Sequence, residues 1–273
     1  MSNAVSHSTN EPAVSVVLPT YNRAPLLGRS VRSVLSQTFA DFELVVVEDG
    51  STDGTHAVLK SFGDPRVRVV ALARNKGAGA ARNVGIGLAR GKFLAFQDSD
   101  DEWAASKLAK QMSVFERGPS SPGVVYSDME LIRADGTAEY FAAPDLLPDR
   151  LIDPAERFYQ VHHIGIQSAV VRRECLEAAG RFDESLPAFE DMELFIRLSR
   201  RCDFRRLREP LVKYHDTQGV SHDPRARWVG RRLLLKLYYR ELLTHNPLFL
   251  FNEVRWLYGS RREAARARRA CTA

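Results

Sequence analysis

The most informative stretch of the chain is Phe93-Leu94-Ala95-Phe96-Gln97-Asp98-Ser99-Asp100-Asp101, an apolar run that ends abruptly in three carboxylates. Carboxylates this close repel one another, and a divalent cation with oxygen ligands relieves that repulsion. The alternative is a helix N-terminus, because Asp and Ser cap helices and the residues from Glu102 onward have a helical pattern. The stretch therefore predicts a buried strand that ends at a metal-phosphate site, with a helix cap as the competing interpretation.

The same change from apolar to polar recurs throughout the N-terminal half. Residues 14–18, 42–47 and 67–72 are rich in β-branched side chains, and segments with helical periodicity separate them from one another and from the strand predicted at 92–96. Strands that alternate with helices through short connections form a mostly parallel sheet with helices on both faces. Ligands bind such α/β sheets at the carboxyl ends of the strands, where the polar clusters of this sequence lie.

Two further polar clusters follow the first and second predicted strands. The first comprises Pro19, Thr20, Tyr21, Asn22 and Arg23, and the second begins with Glu48-Asp49-Gly50. A carboxylate at the end of a strand can accept hydrogen bonds from a nucleobase or a ribose, so we expect Asp49 to contact a ligand. Ser51 and Asp53 fit a helix-capping turn instead.

A segment of small residues, Gly77-Ala78-Gly79-Ala80-Ala81, opens the third predicted helix and is followed by Arg82. It matches the dinucleotide fingerprint only in part, since it follows the third strand rather than the first. Small residues let a helix pack closely on a sheet, and Lys76 and Arg82 would face an anionic ligand near the helix start. Both side chains fit solvated surface cations equally well.

A second acidic site, Glu190-Asp191, opens a predicted helix far away in the sequence. Helix N-termini stabilise carboxylates, so capping is one interpretation, and a general base toward a hydroxyl nucleophile is the other. His215 follows a predicted strand and could complete an oxygen-rich metal shell. His163, next to His162, is either one of a structural pair or an acceptor-site residue.

Composition narrows the class of protein. The chain has 273 residues, 44% of them hydrophobic, which suffices for one large domain or two small ones. No apolar run approaches the roughly 20 residues of a membrane span, and the polar start lacks the apolar segment of a signal peptide, so we expect a cytoplasmic protein. The three cysteines are widely spaced, which favours neither a disulfide framework nor a zinc cluster.

Positive charge is concentrated near the C-terminus. Residues 225–273 hold twelve Lys or Arg and three Glu, a net charge of +9, so the rest of the +5 chain carries about −4. The basic residues alternate with Leu, Tyr, Phe and Trp, a pattern that suits the surface of an anionic membrane better than nucleic acid, which we do not expect as a partner. Packed helices with a solvated basic face are the alternative.

Together these motifs resemble those of family 2 glycosyltransferases, which have the GT-A fold. The resemblance runs from about residue 14 to about residue 221, and residues 14–23, 48–55 and 75–83 resemble the nucleotide strand, the base-binding loop and the diphosphate-side segment, in family order. Asp98-Ser99-Asp100 lies where the family has its DxD motif, and residues 180–184 with Glu190-Asp191 resemble its acceptor-side and catalytic-base motif. The chain has Glu48 where the family usually has Asp, and Gln97 where it usually has Leu.

The resemblance implies roles for individual residues. Asp191 would be the catalytic base, Asp100 with Asp98 would hold Mg²⁺ or Mn²⁺, and Glu190 would lie on the acceptor side. Independently of the resemblance, we expect His215 as a further metal ligand and His163 on the acceptor side. The implied donor-binding residues are Pro19, Thr20, Tyr21, Asn22, Arg23, Glu48, Asp49, Asn75, Lys76, Gly77, Arg82, Asp98 and Ser99.

The implied organisation is a GT-A, Rossmann-like α/β domain at residues 13–221, with a nucleotide-sugar half at 13–117 and an acceptor and catalytic half at 118–221. A flexible N-terminus at 1–12 and a basic helical extension at 222–273, with peripheral membrane contact as one role, would flank it.

The implied reaction is an inverting transfer of a sugar from a nucleoside-diphosphate sugar to a hydroxyl of a glycan or glycolipid, in surface polysaccharide or glycolipid assembly. A UDP-sugar is favoured over a dTDP- or GDP-sugar. A non-catalytic nucleotide-sugar binding module and a sugar nucleotidyltransferase are the other classes. The Glu190-Asp191 pair disfavours the binding module, because a binder needs no base. A nucleotidyltransferase is disfavoured because it typically needs a Gly-rich loop with Arg and Lys after the first strand for the triphosphate, and residues 19–23 offer a single cation.

Overall fold

The computed structural model describes residues 11–116, 122–146, 160–217, 223–245 and 247–257. The strands within these ranges are β1 (Val14–Thr20), β2 (Phe42–Glu48), β3 (Val67–Ala71), β4 (Phe93–Phe96), β5 (Glu102–Trp103), β6 (Val124–Ile132), β7 (Ala138–Phe141), β8 (Val170–Arg172) and β9 (Phe204–His215). The helices are α1 (Ala24–Leu35), α2 (Thr55–Lys60), α3 (Ala78–Leu88), α4 (Lys107–Phe115), α5 (Arg173–Ala179), α6 (Glu190–Ser199), α7 (Pro224–His245) and α8 (residues 247–257).

One mixed sheet organises the chain, with strand order β3-β2-β1-β4-β8-β6-β9-β5 and β7 paired to β6. The predicted α/β fold is confirmed, and β1 to β4 pair in parallel as the alternation of strands and helices predicts. The second half differs: β8 joins β4 and β6 by antiparallel pairing, and β9 runs parallel to β6 but antiparallel to β5. The parallel half is therefore continued by a mixed half in one continuous sheet.

Close packing of helices on the sheet explains why small residues recur in α3. Every residue of β1 and β2 is buried, as expected for strands covered on both faces. Gly79, Ala80 and Ala81 of α3 are also buried. A Cβ on Gly85 would lie 2.4 Å from Val17 Cγ1, so the helix and β1 approach as closely as a glycine allows.

The residues after the acidic cluster differ from the prediction. Glu102 does not begin a helix: β5 pairs with β9, and α4 begins only at Lys107. Pairing explains the difference, because Ala104 N donates to Leu211 O at 3.0 Å and the buried Trp103 donates its Nε1 to Gln167 O at 3.0 Å. The helix-cap interpretation of the acidic cluster is therefore wrong.

The C-terminal extension is helical over its described part. α7 buries Gly230, Leu234, Leu235 and Leu242. α8 returns along α7, because Arg231 of α7 forms an ion pair with Glu253 of α8. Trp228 Nε1 donates to the carbonyl of Leu257 at 3.1 Å, which fixes the end of α8. Residues 1–10 of the predicted N-terminal segment and residues 258–273 of the extension lie outside the described residues. None of the described helices is both long and apolar enough to cross a membrane.

Candidate active site

A cleft of about 910 Å³ opens at the carboxyl ends of the parallel strands. It lies where the strand order reverses between β1 and β4, the position at which open α/β sheets bind ligands. The predicted site residues that line it are Pro19, Thr20, Tyr21, Asn22, Arg23, Asp49, Asn75, Gly77, Asp98, Ser99, Asp100, His163, Glu190, Asp191 and His215. The predicted residues Glu48, Lys76 and Arg82 do not line it, and their roles as ligand contacts stay predictions.

The loops after β1 and β2 form part of the floor of the cleft. Asn22 has φ 51°, a left-handed conformation that Asn tolerates better than most residues. Its backbone N–H donates to Ser51 Oγ at 3.0 Å, and its Oδ1 accepts from Thr52 N at 2.8 Å, so the loops after β1 and β2 are held together. Thr20, which lines the cleft, is only 2% exposed, and its hydroxyl has no hydrogen-bond partner within the described ranges. A bound ligand is therefore a fitting partner for this hydroxyl.

Asp49 fixes the neighbouring loop. Its Oδ1 accepts from Lys76 N and its Oδ2 from Gly77 N, both at 2.9 Å. Burial raises the pKa of Asp49, and the two backbone N–H groups oppose that shift. Each carboxylate oxygen has a second lone pair, so contact with a nucleobase remains compatible with these bonds. The carboxylate of Glu48 instead accepts from Ser51 N, within the turn after β2.

Arg82 joins the two acidic sites. Its guanidinium is 2.7 Å from Asp98 Oδ1 and 2.7 Å from Glu190 Oε1, and the residue is 5% exposed. The interpretation of Arg82 as a solvated surface cation is therefore wrong. Burial would lower the pKa of Arg82, but the carboxylates of Asp98 and Glu190 raise it above its usual value, so Arg82 is a permanent cation between the loop after β4 and the start of α6.

The three carboxylates after β4 have different surroundings. Asp98 and Asp100 line the cleft, and Asp100 Oδ2 accepts from the hydroxyl of Thr217 and lies 3.6 Å from Arg23 Nε. Asp101 is 1% exposed and accepts from His215 N at 2.9 Å and from Gln167 Nε2 at 3.0 Å. Burial, followed by the charges of Asp98 and Asp100, raises the pKa of Asp101. Asp101 therefore joins the acidic loop to the end of β9, and the other two face the ligand space.

The carboxylate oxygens of Asp98 and Asp100 suit a divalent cation that also binds phosphate oxygens. Across the described residues, no set of three His, Cys, Asp or Glu side chains is arranged to hold a metal by itself. Asp98 and Asp100 nevertheless supply two carboxylates at the cleft, and Mg²⁺ is commonly held by one or two carboxylates together with phosphate oxygens and water. His215 Nε2 lies 2.7 Å from Glu102 Oε1, so this nitrogen is engaged, and ligation of a metal by His215 stays a prediction.

Asp191 lies in the first turn of α6 and lines the same cleft. Its Oδ1 accepts the backbone N–H of Met192 at 2.8 Å. Burial, followed by the charge of Glu190, raises the pKa of Asp191 to about 7, although Arg82 opposes the shift. A helix N-terminus alone would lower this pKa, so capping does not account for the site. A carboxylate with this pKa suits a general base near neutral pH.

The residue before this pair is strained. Phe189 has φ 66°, a left-handed conformation that is costly for a bulky side chain and that is typical of functional sites. Its ring lies 5.7 Å from that of His162, and burial lowers the pKa of His162 to about 4, so this imidazole is neutral. The rings of His162 and His163 are 5.4 Å apart and both residues line the cleft, and contact of His163 with an acceptor stays a prediction.

An apolar wall that motif analysis missed completes the cleft. Met129, Leu131, Phe141 and Ile164 line it together with Phe189. Met129 and Leu131 belong to β6 and Phe141 to β7. Ile164 precedes a short 3₁₀ helix at Ile166–Ser168, and Phe189 directly precedes α6. In the sequence they are indistinguishable from ordinary strand and core residues, and it is the antiparallel pairing of β6 with β7 that places Met129 opposite Phe141.

The sequence matches the Glycosyl transferase family 2 over residues 15–179, more than half of the chain. The protein is a member of this family, and its sheet with the cleft at the β1–β4 reversal is the GT-A fold. The structural likeness supports the fold alone, since the solved structures below are 20–23% identical to this chain.

Two relatives show what the family match includes. The succinoglycan biosynthesis protein ExoO of Rhizobium meliloti is 34% identical over 212 residues, which is 74% of this chain and 60% of the relative. The UDP-Glc:alpha-D-GlcNAc-diphosphoundecaprenol beta-1,3-glucosyltransferase WfgD of Escherichia coli is 38% identical over 131 residues, 48% of this chain and 51% of the relative. The chain thus spans about half to three fifths of the length of these proteins.

Solved structures share the architecture. The S. aureus TarS 1-349 complex with UDP-GlcNAc has a TM-score of 0.67 and 23% identity, and the match covers 88% of this chain and 69% of that one. The mannosyltransferase PcManGT from Pyrobaculum calidifontis, in complex with GDP-Man and Mn²⁺, has a TM-score of 0.60 and 20% identity, with coverage of 97% and 76%.

Proposed function

We propose that this protein is an inverting, metal-dependent glycosyltransferase that moves a sugar from a nucleoside-diphosphate sugar to an acceptor hydroxyl. The observation that carries the proposal is the presence, in one cleft, of Asp98 and Asp100 together with a separate carboxylate, Asp191, whose pKa is about 7. A non-catalytic binding module needs no general base beside its ligand, whereas transfer to a hydroxyl does.

The reaction follows from these positions. The ionised Asp191 takes the proton of the acceptor hydroxyl, and the acceptor oxygen attacks the anomeric carbon from the side opposite the diphosphate. The bond between the anomeric carbon and the phosphate oxygen breaks, and the nucleoside diphosphate leaves with the electron pair. Arg82 holds the carboxylates of Asp98 and Glu190 in place through its two 2.7 Å contacts.

Asp100 and Asp98 would hold Mg²⁺ or Mn²⁺, which would neutralise the negative charge of the leaving diphosphate. Support comes from the fit of their carboxylates to a cation shared with phosphate, and from the Mn²⁺ in the PcManGT complex. A UDP-sugar is the favoured donor, because WfgD is named for UDP-Glc and TarS was solved with UDP-GlcNAc, with dTDP- and GDP-sugars as alternatives.

The acceptor would be a glycan or glycolipid of surface polysaccharide assembly. This part of the proposal draws on the names of relatives, one in succinoglycan biosynthesis and one acting on a diphosphoundecaprenol-linked sugar. It includes a cytoplasmic location with a peripheral contact to the membrane through residues 222–273.

The test is donor turnover, measured as release of nucleoside diphosphate from UDP-, dTDP- and GDP-sugars with water as a slow acceptor. Asp191→Asn should lower the rate about 10²- to 10⁴-fold, the usual size of a general-base contribution. The matched control is Asp41→Asn, an exposed carboxylate just before β2, at the sheet edge opposite the cleft. Full turnover by a folded Asp191→Asn variant would refute the assignment of the base.

A further inference from the structure

Helices α7 and α8 expose an unusual number of apolar side chains to solvent. Seven of the ten exposed large hydrophobic residues among the described residues lie between positions 237 and 256. Leu248 and Phe251 are 75% and 64% exposed, and Leu237 and Leu243 are each 56% exposed. The other apolar residues of the same helices, such as Leu234 and Leu242, are buried in the core, so the two helices have a second apolar face that the domain leaves uncovered.

Cations share this second face. Arg232, Lys236, Tyr239 and Leu243 are exposed and are spaced by three or four residues along α7, which places them on one side of the helix. Leu248, Phe251 and Arg255 repeat this spacing on α8 and are exposed as well. We call these seven residues the C-terminal apolar-basic face.

The carboxylates of the two helices are already paired on the other side. Glu241 accepts from Arg200 at 2.5 Å, and Glu253 accepts from Arg231 at 2.6 Å. Both glutamates are partly buried, so the exposed charged side chains described between residues 224 and 257 all belong to Arg, Lys or His. The surface therefore offers apolar groups and positive charge with no exposed carboxylate among them.

A bilayer with anionic lipids matches this chemistry. Leu and Phe side chains enter the boundary between headgroups and acyl chains, while Arg and Lys on the same helix pair with lipid phosphates. A symmetric dimer through this face would bring the cations of both copies together without any exposed carboxylate to pair with them. Charge complementarity thus favours a lipid surface over a second copy of the chain.

The face belongs to the helix that supports the catalytic end of the cleft. A Cβ on Gly230 of α7 would lie 2.4 Å from Ala188 O, and the guanidinium of Arg231 lies 5.6 Å from the ring of Phe189. Arg227 of α7 lines the cleft together with Asp191. Gly230 faces Ala188, whereas Arg232, Lys236 and Tyr239 lie on the opposite side of α7, so a bilayer bound to this face would be separated from the cleft by α7.

We propose that the C-terminal apolar-basic face binds the surface of an anionic bilayer and so concentrates the protein where a lipid-carried acceptor would lie. Binding to the bilayer stands on the face alone, whereas the role of the acceptor rests on the proposed function.

The experiment is co-sedimentation of the full chain with phosphatidylcholine vesicles, with and without phosphatidylglycerol. The protein should sediment with the anionic vesicles at low salt and bind more weakly at 1 M salt, where the Debye length is about 3 Å. Lys236→Glu should lower the partition coefficient about fivefold or more, since each basic residue at such a surface contributes roughly that factor. Phe251→Ser should weaken binding too.

Matched controls are Lys60→Glu on α2 and Val69→Ser on β3, which are exposed but lie elsewhere. Absence of binding to anionic vesicles, or equal loss in the controls, would overturn the proposal. A salt-resistant dimer that Phe251→Ser dissociates, with no vesicle binding, would assign the face to self-association instead. Nucleotide binding measured on the same variants separates the two proposals, because vesicle binding without any nucleotide binding would refute only the proposed function.

Discussion

The raised pKa of Asp191 leads to a prediction that needs no knowledge of the acceptor. With a pKa of about 7, Asp191 is half ionised at pH 7, and only about a tenth of it is ionised at pH 6. A rate that depends on the ionised base should therefore fall about tenfold between its plateau and pH 6. The fall continues about tenfold for each further pH unit, because the protonated carboxyl cannot accept the acceptor's proton.

The substitution Glu190→Gln tests what raises the pKa of Asp191. After burial, the charge of Glu190 is the next largest contribution that raises the pKa of Asp191. The neutral amide of Gln keeps the size of the side chain and removes the charge, so the acid limb of kcat/KM should move to lower pH. Asp191→Asn should remove this limb altogether.

Two assays measure the pKa of Asp191 in the protein and in these variants. The pH dependence of kcat/KM for nucleoside-diphosphate release reports the pKa of the free enzyme. NMR titration of protein labelled with ¹³C at the aspartate carboxyl carbons reports the same group directly, and the signal missing from Asp191→Asn assigns it. A titration of Asp191 near the ordinary Asp value, or an acid limb that Glu190→Gln leaves in place, would refute the reasoning.

Further predictions concern stability. Gly85→Ala places a Cβ 2.4 Å from Val17 and should lower the free energy of unfolding by about 1–3 kcal/mol, whereas Gly63→Ala, with no atom within 4 Å, should change it by less than about 0.5 kcal/mol in urea denaturation. Burial raises the pKa of Glu43, but hydrogen bonds from Ser15 and from two arginines outweigh it and hold the pKa below 4.5. Glu43 therefore stabilises the fold above pH 4.5, and this contribution is lost as the pH falls through the lowered pKa. In Glu43→Gln the free energy of unfolding should depend less steeply on pH below pH 4.5. An unchanged pH dependence in this variant would contradict the stabilising role of Glu43.

The parts of the fold that local sequence determines were predictable. Residues of β1 and β2 are buried on both faces and read as continuous apolar runs, and each run ends in polar residues that line the cleft. Because parallel strands end at one edge, the convergence of Asp49, Asp98 and Asp100 followed from the order of elements.

Contacts between distant residues were not predictable. Arg82 pairs with Glu190 across 108 positions, and Asp101 accepts from His215 N across 114. Such pairs have no local signature, so Arg82 was equally compatible with a surface cation. Glu102 was assigned to a helix because its local pattern is helical, while tertiary pairing of β5 with β9 determines its conformation.

The central claim is that the cleft binds a nucleoside diphosphate through a metal held by Asp100. The most direct test is calorimetric titration of UDP, dTDP and GDP into the protein, with and without Mn²⁺, repeated with Asp100→Asn and with the control Asp41→Asn. We predict that one nucleotide binds, that Mn²⁺ strengthens its binding, and that Asp100→Asn alone abolishes the metal effect. Absence of binding by a folded protein, or binding that neither Mn²⁺ nor Asp100→Asn changes, would contradict the claim.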